Sequence, residues 1–209
     1  MKNRNLLLIL LMGLSLVLNA QTVTIGTQVW MTKNLDVAKF RNGDPIPEAK
    51  TDEEWEKAGE NKQPAWCNYD NNPDNGTKYG KLYNWYAVND PRGLAPEGYH
   101  VPTDAEWTIL TTFLGGESVA GGKMKSSGTQ YWYRPNQDAT NASKFSGLPG
   151  GIRGYGGSFY YFGDFGYWWS SSEDDSFDAW LRFLSYYYGY VARILNDKVD
   201  GFSVRCLRD

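Results

Sequence analysis

The residues of this chain that could perform chemistry are one histidine and a group of carboxylates near the C-terminus. His100 is the sole histidine, so a histidine-rich metal site is excluded, and no G-x-S-x-G turn accompanies it to present a catalytic serine. The carboxylates Glu173 to Asp175 and Asp178 could supply the acid and base of glycoside hydrolysis. Crowded acidic residues between two strands are more typical of a solvated loop that accepts hydrogen bonds from a ligand. We therefore predict no catalytic residues.

The segment that begins at Asp70 resembles the start of a calcium-binding loop, but the residues that follow do not fit one. Asp70, Asn72 and Asp74 recur at every second position, as oxygen ligands do at the start of an EF-hand loop. Asn75 stands where that loop needs glycine, and Lys81 stands where it needs a bidentate glutamate. We predict a solvated turn and no metal site, with a calcium site of another type left open.

Two cysteines, Cys67 and Cys206, allow at most one disulfide. Such a bond would close a loop of about 140 residues, and the chain-entropy model gives it roughly 5 kcal/mol of stabilisation. Two separate buried thiols are the alternative, and the sequence alone favours neither.

The C-terminal segment from Tyr167 to Asp209 combines tyrosine and tryptophan with serine, asparagine and aspartate. Stiff aromatic rings beside adaptable hydrogen-bonding groups are typical of recognition surfaces, although an aromatic-rich antiparallel sheet has the same composition. We predict that the ligand-binding residues are Asp174, Asp175, Phe177, Leu181, Phe183, Tyr186, Tyr187, Tyr188, Tyr190, Arg193, Asn196 and Asp197.

The first twenty residues have the pattern of a secretory signal peptide. Lys2 and Arg4 precede an apolar run from Leu6 to Leu18, which is too short to span a bilayer. Its removal leaves 19 basic against 24 acidic residues, a net charge near −5, which argues against binding to nucleic acid. We expect an exported chain beginning near Gln21 that is periplasmic, at the cell surface or extracellular and is not inserted in the membrane.

Local patterns predict an opening strand at 23–30, a helix at 52–58, a polar loop at 68–76 and a helix at 103–114. Both helices begin with capping-box spacing, Thr51 with Glu54 and Thr103 with Glu106, and Gly59 is expected to end the first. Gly-rich sequence between 115 and 166 predicts packed loops, in which the glycines at 150–157 allow close backbone approach. Period-two alternation after Ala179 predicts about four antiparallel strands.

Several segments together resemble the Fibrobacter succinogenes major paralogous domain family, from IGTQVWMTKNLDV through GLAPEGYHVPTDAEW and YWWSSSE to GFSVRCLRD. Some of them are also similar to elements of the formylglycine-generating enzymes, whose fold is an elaborated C-type lectin fold. The resemblance implies one α+β domain over residues 21–209, with a small twisted antiparallel sheet, two main helices and extensive ordered loops.

The resemblance does not carry enzymatic activity, because fold alone does not determine function. The oxidases hold copper with a pair of cysteines, and only Cys206 matches that motif. We predict a non-enzymatic binding module that acts as a monomer, needs no cofactor and recognises a glycan or a surface protein. Some relatives look like variable proteins diversified by retroelements, which would explain the tyrosine-rich segment. The alternatives are an enzyme related to the oxidases and a structural, self-associating surface protein.

Overall fold

Five short helices are distributed over residues 21–209, the part of the chain that this computed structural model describes. They are α1 (Asp52–Glu60), α2 (Pro73–Tyr79), α3 (Trp85–Val88), α4 (Asp104–Phe113) and α5 (Glu117–Met124), with a 3-10 turn at Tyr69–Asn71. Among these residues no helix has both the length and the apolar composition needed to cross a bilayer. The predicted signal peptide, residues 1–20, lies outside the described residues.

The strands are short near the N-terminus and long near the C-terminus. They are β1 (Thr22–Ile25), β2 (Gln28–Met31), β3 (Trp66–Cys67), β4 (Leu82–Tyr83), β5 (Tyr99–His100), β6 (Gly150–Arg153), β7 (Phe159–Phe162), β8 (Phe165–Glu173), β9 (Asp178–Ser185), β10 (Val191–Asp197) and β11 (Leu207–Arg208). Small antiparallel sheets and separate helices make this an α+β protein, as predicted.

The C-terminal strands form an antiparallel sheet in the order β10-β9-β8, in which β9 and β10 are strands of the predicted meander and β8 precedes it. The last predicted strand, β11, belongs to a different sheet, β1-β2-β11-β5, because Leu207 pairs with both Trp30 and His100. The predicted opening strand is a hairpin, since Gly26 at φ +62° and Thr27 turn the chain between β1 and β2. Two further strand pairs, β3-β4 and β6-β7, complete the fold.

Strand β9 is central and is covered on both faces. Ala179 and Leu181 face one hydrophobic cluster, which includes Trp169, Phe202 and Val204. Leu184 faces a second cluster, which includes the buried Trp107, Trp132 and Trp168. Because both faces are packed, hydrophobic alternation along β9 does not separate a core face from an exposed face.

Both predicted capping boxes are formed. Thr51 accepts a hydrogen bond from the Glu54 amide at the start of α1, and Thr103 does the same with Glu106 at the start of α4. Gly59 does not end α1, which continues to Glu60; it is buried against the side chain of Val199.

Two helices lie where loops were predicted. Asn72 caps α2 by accepting from the Asp74 amide, so much of the predicted polar loop at 68–76 is helical. Helix α5 contains Gly121 and Gly122, where a Cβ atom would come within 2.1 Å of the Tyr190 carbonyl oxygen and 2.5 Å of the Asp138 carbonyl oxygen. Close packing requires glycine at both positions. Glycine has a low helix propensity, so α5 is stabilised by its packing and not by its local sequence.

Buried cations hold the long loops together. Arg205 is fully buried and donates to Asn34 Oδ1 from Nε and Nη2, to the Met31 carbonyl at 3.1 Å and to the Phe145 carbonyl at 2.6 Å. Asn34 Oδ1 also accepts from the indole of Trp168 at 2.8 Å. The guanidinium thus joins the N-terminal strands, the loop at Phe145 and the C-terminal segment in one network.

Candidate functional site

The twelve predicted binding residues lie mainly at the two opposite ends of the β9-β10 pair. The acidic end consists of Asp174, Asp175, Phe177, Asn196 and Asp197, and the tyrosine end consists of Tyr186, Tyr187, Tyr188 and Tyr190. The register pairs Asp178 with Asp197 at one end and Leu184 with Val191 at the other. Six residues of strand separate the two ends by roughly 20 Å, so these residues do not form one compact site.

The acidic end is a fixed turn held by its own carboxylates. Asp175 accepts hydrogen bonds from the amides of Phe177 at 2.7 Å and Asp178 at 2.8 Å. These amides hold the pKa of the Asp175 carboxyl below its ordinary value. Lys198 is buried beneath the turn, with its ammonium 3.0 Å from Glu173 and bonded to the Asp175 carbonyl. Phe177 is 69% exposed at the tip.

Nothing at the acidic end is arranged as a metal site. Burial, assisted by repulsion from Asp197, raises the pKa of Asp200 to about 6, which is unfavourable for a ligand that must be ionised. Within residues 21–209 no group of three or more histidine, cysteine, aspartate or glutamate side chains is placed to hold an ion. The suggested calcium residues Asp70, Asn72 and Asp74 lie in the 3-10 turn and the start of α2.

Leu181 is not a surface residue, and its prediction as a binding residue is wrong. Its side chain is 0% exposed and lies in the first cluster, paired across the sheet with Trp169 and Ile194. Phe183 is half-buried, on the same face.

Arg193 already has an acidic partner within the protein, so two of its three guanidinium nitrogens are not free to pair with a ligand as expected. Its Nε and Nη2 atoms donate to Asp104 at 2.9 to 3.1 Å, and the guanidinium lies 3.4 Å from the centre of the Trp180 ring. The buried Arg182 bonds the same carboxylate at 2.7 Å. Burial opposes the ionised form of Asp104, but the two arginines outweigh it and lower the pKa of this carboxyl.

The tyrosine end continues into a larger array of rings that the sequence analysis missed. We define the aromatic surface as Tyr160, Tyr161, Phe165, Phe183, Tyr187, Tyr188 and Tyr190. Successive ring centres from Tyr160 to Phe165 to Phe183 are 5.2 to 6.0 Å apart. The series continues from Phe183 through Tyr190 and Tyr188 to Tyr187 at 4.9 to 6.3 Å. Four of these tyrosines are exposed: Tyr160, Tyr161, Tyr187 and Tyr188.

A buried lysine holds the tyrosine loop in place. Lys125 is 0% exposed, and its ammonium donates to the carbonyls of Gln137, Ser185 and Tyr188 at 2.7 to 2.8 Å. Burial lowers the pKa of Lys125 to about 8. Because all three ammonium donors are used, the loop from Ser185 to Tyr188 is fixed relative to α5 and to the segment at Gln137.

Polar groups border the aromatic surface. The Gln137 amide donates to the Tyr186 carbonyl at 2.8 Å, and the Gln137 side chain donates to Asp138 at 2.9 Å. Asp138 packs against Gly189. A Cβ atom added to Gly189 would lie 2.5 Å from the Asp138 carboxylate. Asp164 accepts from the Tyr186 amide through its carbonyl. Stacking faces and exposed amide and carboxylate groups therefore occur together at this end of the sheet.

The two cysteines do not form a disulfide. Both are free, buried thiols, and they belong to different hydrophobic clusters, Cys67 to the one around Trp55 and Cys206 to the one around Trp169. Burial raises the pKa of each thiol to about 12, which disfavours the reactive thiolate. The alternative of two separate thiols is the one the structure contains.

His100 is part of a structural ion pair network. Its Nδ1 lies 2.7 Å from Asp209 and its Nε2 lies 3.0 Å from Glu106, the residue that completes the α4 capping box. Burial opposes protonation, but the hydrogen bonds to Asp209 and Glu106 outweigh it and raise the pKa of His100 above its ordinary value.

The replacement His100→Gln is expected to lower the free energy of unfolding by no more than about 1 kcal/mol, because the pair is partly exposed. The contribution of the imidazolium to the free energy of unfolding is complete below about pH 6.5, the pKa of an unfolded histidine. It is lost as the pH rises through the raised pKa of His100 in the folded protein. Urea unfolding of both proteins at pH 6 and pH 9 measures the difference. A larger loss at pH 9 than at pH 6 would contradict this role.

Two surface grooves lie away from the aromatic surface. One of about 590 Å³ runs beside α1, between Glu48 and Asn61, and one of about 280 Å³ lies between β2 and α4 near Glu106. Neither contains any of the predicted binding residues.

Comparison with protein families identifies the family of this chain. The model of the Fibrobacter succinogenes major domain matches residues 23–208, nearly all of the described residues. The chain belongs to this family. Searches among curated proteins and among solved structures find no match. The description of the family names no activity. Several segments that resemble the family stabilise the domain, because their residues Asn34, Trp168 and Arg205 form one buried hydrogen-bond network.

Proposed function

We propose that this Fibrobacter succinogenes major domain is an exported, non-enzymatic binding module that takes a glycan on the aromatic surface. The observation that carries the proposal is the uninterrupted series of rings from Tyr160 to Tyr187, four of which are exposed. Tyrosine rings stack on the apolar faces of sugars, while their hydroxyl groups and the neighbouring Gln137 and Asp138 exchange hydrogen bonds with sugar hydroxyls.

Preorganisation supports this role. Lys125 fixes the tyrosine loop through three hydrogen bonds, and the rings of Tyr188 and Tyr190 stack on each other 4.9 Å apart. A site that is already ordered loses little conformational entropy on binding. We further propose that the fold is C-type lectin-like and that binding requires no metal.

The rival proposal, an oxidase related to the formylglycine-generating enzymes, needs two cysteines at one copper site. Cys67 and Cys206 lie in different clusters and both are fully buried, which favours the binding module. The other rival is a structural protein that self-associates through the aromatic surface. Such a protein would retain no glycan.

The double replacement Tyr187→Ala with Tyr188→Ala is expected to weaken glycan binding at least about a hundredfold, because stacking rings typically dominate such interfaces. Residues 21–209 are first screened on a glycan array, with and without calcium, and the strongest glycan is then titrated by calorimetry. Tyr186 is left intact, since it is half-buried against the second cluster and its removal would disturb the core.

The matched control is Tyr155→Ala, which removes a 45% exposed tyrosine that lies outside the aromatic surface. Phe177→Ala tests the acidic end in the same assay. Unchanged affinity in the double variant, or an equal loss in either control, would rule out the aromatic surface as the site. Retention of a protein and of no glycan would show that the ligand is a protein.

A further inference from the structure

Strand β10 forms an open edge of the C-terminal sheet. Within residues 21–209 it pairs only with β9, through seven residues in continuous register and without a bulge. It contains no proline, and α5 packs against its beginning, near Tyr190 and the buried Val191. A long, regular edge strand is the kind of element that pairs with another strand unless it is blocked.

The register shows which groups face away from β9. The Lys198 amide donates to the Phe177 carbonyl at 2.9 Å, just beyond the pair Asp197 with Asp178. Because hydrogen-bonded and non-bonded positions alternate, residues 196, 194 and 192 also bond to β9. The amides and carbonyls of Arg193 and Leu195 therefore point outward, and within residues 21–209 no turn or loop backbone group bonds to them.

The outward residues are complementary to a second copy of themselves. Antiparallel pairing centred on Leu195 would place each Arg193 opposite Asp197 of the other copy and the two Leu195 side chains opposite each other. Leu195 is 37% exposed and Asp197 is exposed. Arg193 bonds Asp104 through Nε and Nη2, which leaves Nη1 to donate to a further carboxylate. Self-complementarity of one patch is what a two-fold interface requires.

We propose that two copies of this domain associate through β10 into a continuous six-stranded antiparallel sheet, in the register that pairs Arg193 with Asp197. This differs from the monomer expected from the sequence, and it does not depend on the proposed glycan site. One strand pair buries less surface than a stable interface, so we expect a dissociation constant on the order of 10 µM or weaker. Each dimer would present two aromatic surfaces, which increases avidity for a repeating ligand.

Sedimentation equilibrium of residues 21–209 over a range of concentrations tests the dimer. Leu195→Pro is expected to abolish it, since proline removes an outward amide that makes no bond to β9 and is tolerated on an edge strand. Asp197→Lys places two cations opposite each other and is expected to weaken association at least about tenfold. Circular dichroism and the thermal midpoint report whether each variant folds.

The double replacement of Tyr187 and Tyr188 by alanine serves as the control and is expected to leave the dimer unchanged. Loss of the dimer in that variant would assign self-association to the aromatic surface and overturn the proposal. A wild-type protein that stays monomeric at all concentrations, or a dimer unaffected by Asp197→Lys, would also overturn it. Affinity for a monovalent sugar is measured in parallel and should be equal in wild type and Leu195→Pro, so the two proposals fail separately.

Discussion

Replacement of Lys125 by methionine is expected to lower the free energy of unfolding by about 3 kcal/mol. Methionine fills a similar volume but donates no hydrogen bond, so the carbonyls of Gln137, Ser185 and Tyr188 lose their shared donor in the interior. Each buried carbonyl left without a partner costs about 1 kcal/mol or more.

Two effects oppose each other at this position. Burial disfavours the ammonium, and the lowering of its pKa to about 8 expresses that cost. Removing the charge recovers part of it, which is why the expected loss is near 3 kcal/mol and not larger. The three short hydrogen bonds, together with contact between Lys125 and the Trp132 ring, make the net effect destabilising.

Urea unfolding and amide hydrogen exchange measure the two consequences separately. Exchange of residues 185–190 is expected to accelerate more than that of β8 and β9, because Lys125 contacts this loop directly. The matched control is Lys144→Met, a replacement of an exposed lysine. A Lys125→Met protein as stable as that control, with unchanged exchange in the loop, would show that the lysine does not hold it.

Replacement of Arg205 by methionine is expected to cost about 3 to 5 kcal/mol, a loss at least as large as that for Lys125→Met. The guanidinium donates hydrogen bonds to Asn34, Met31 and Phe145 at the same time. Within residues 21–209 no other side chain donates to the Met31 and Phe145 carbonyls. The hydrogen-bond acceptors of Arg205 are all neutral, and none is a carboxylate among the described residues. Burial accordingly lowers the pKa of Arg205 to about 9.

Arg208→Met is the control for that variant. It removes the same group three residues later, where the guanidinium is exposed and bonds the Tyr99 hydroxyl. Thermal unfolding should show a large decrease in midpoint for Arg205→Met and a small one for Arg208→Met. Equal midpoints for the two variants would contradict a central role for the buried network.

Local signals in the sequence predicted the helix starts but not all of the helices. Thr51 with Glu54 and Thr103 with Glu106 act within one turn of chain, so their spacing is sufficient to predict α1 and α4. Helix α5 depends on Gly121 and Gly122 fitting against backbone from distant segments. No local pattern records such a requirement, and propensity opposes it.

The binding surface was predicted in part, and the errors have physical causes. Leu181 was assigned to the surface because it lies in a segment whose composition is typical of recognition surfaces, but β9 is buried on both faces. Tyr160 and Tyr161 were missed because their Gly-rich surroundings indicated loops. The turn signal Gly163-Asp164 between two aromatic runs could have identified β7 and β8. Arg193 forms an ion pair with Asp104, which lies 89 positions away in the chain. The sequence does not reveal such a long-range contact.

The most direct test of the central claim is an amide and aromatic NMR map of residues 21–209 titrated with the strongest glycan from the array. We predict that the largest shifts occur at Tyr160, Tyr161, Tyr187 and Tyr188 and at the amides of Gln137 and Gly189, with little change at Asp174 to Phe177. Shifts confined to the acidic end or to the groove beside α1, or no shift at any glycan concentration, would contradict the assignment of the aromatic surface as the binding site.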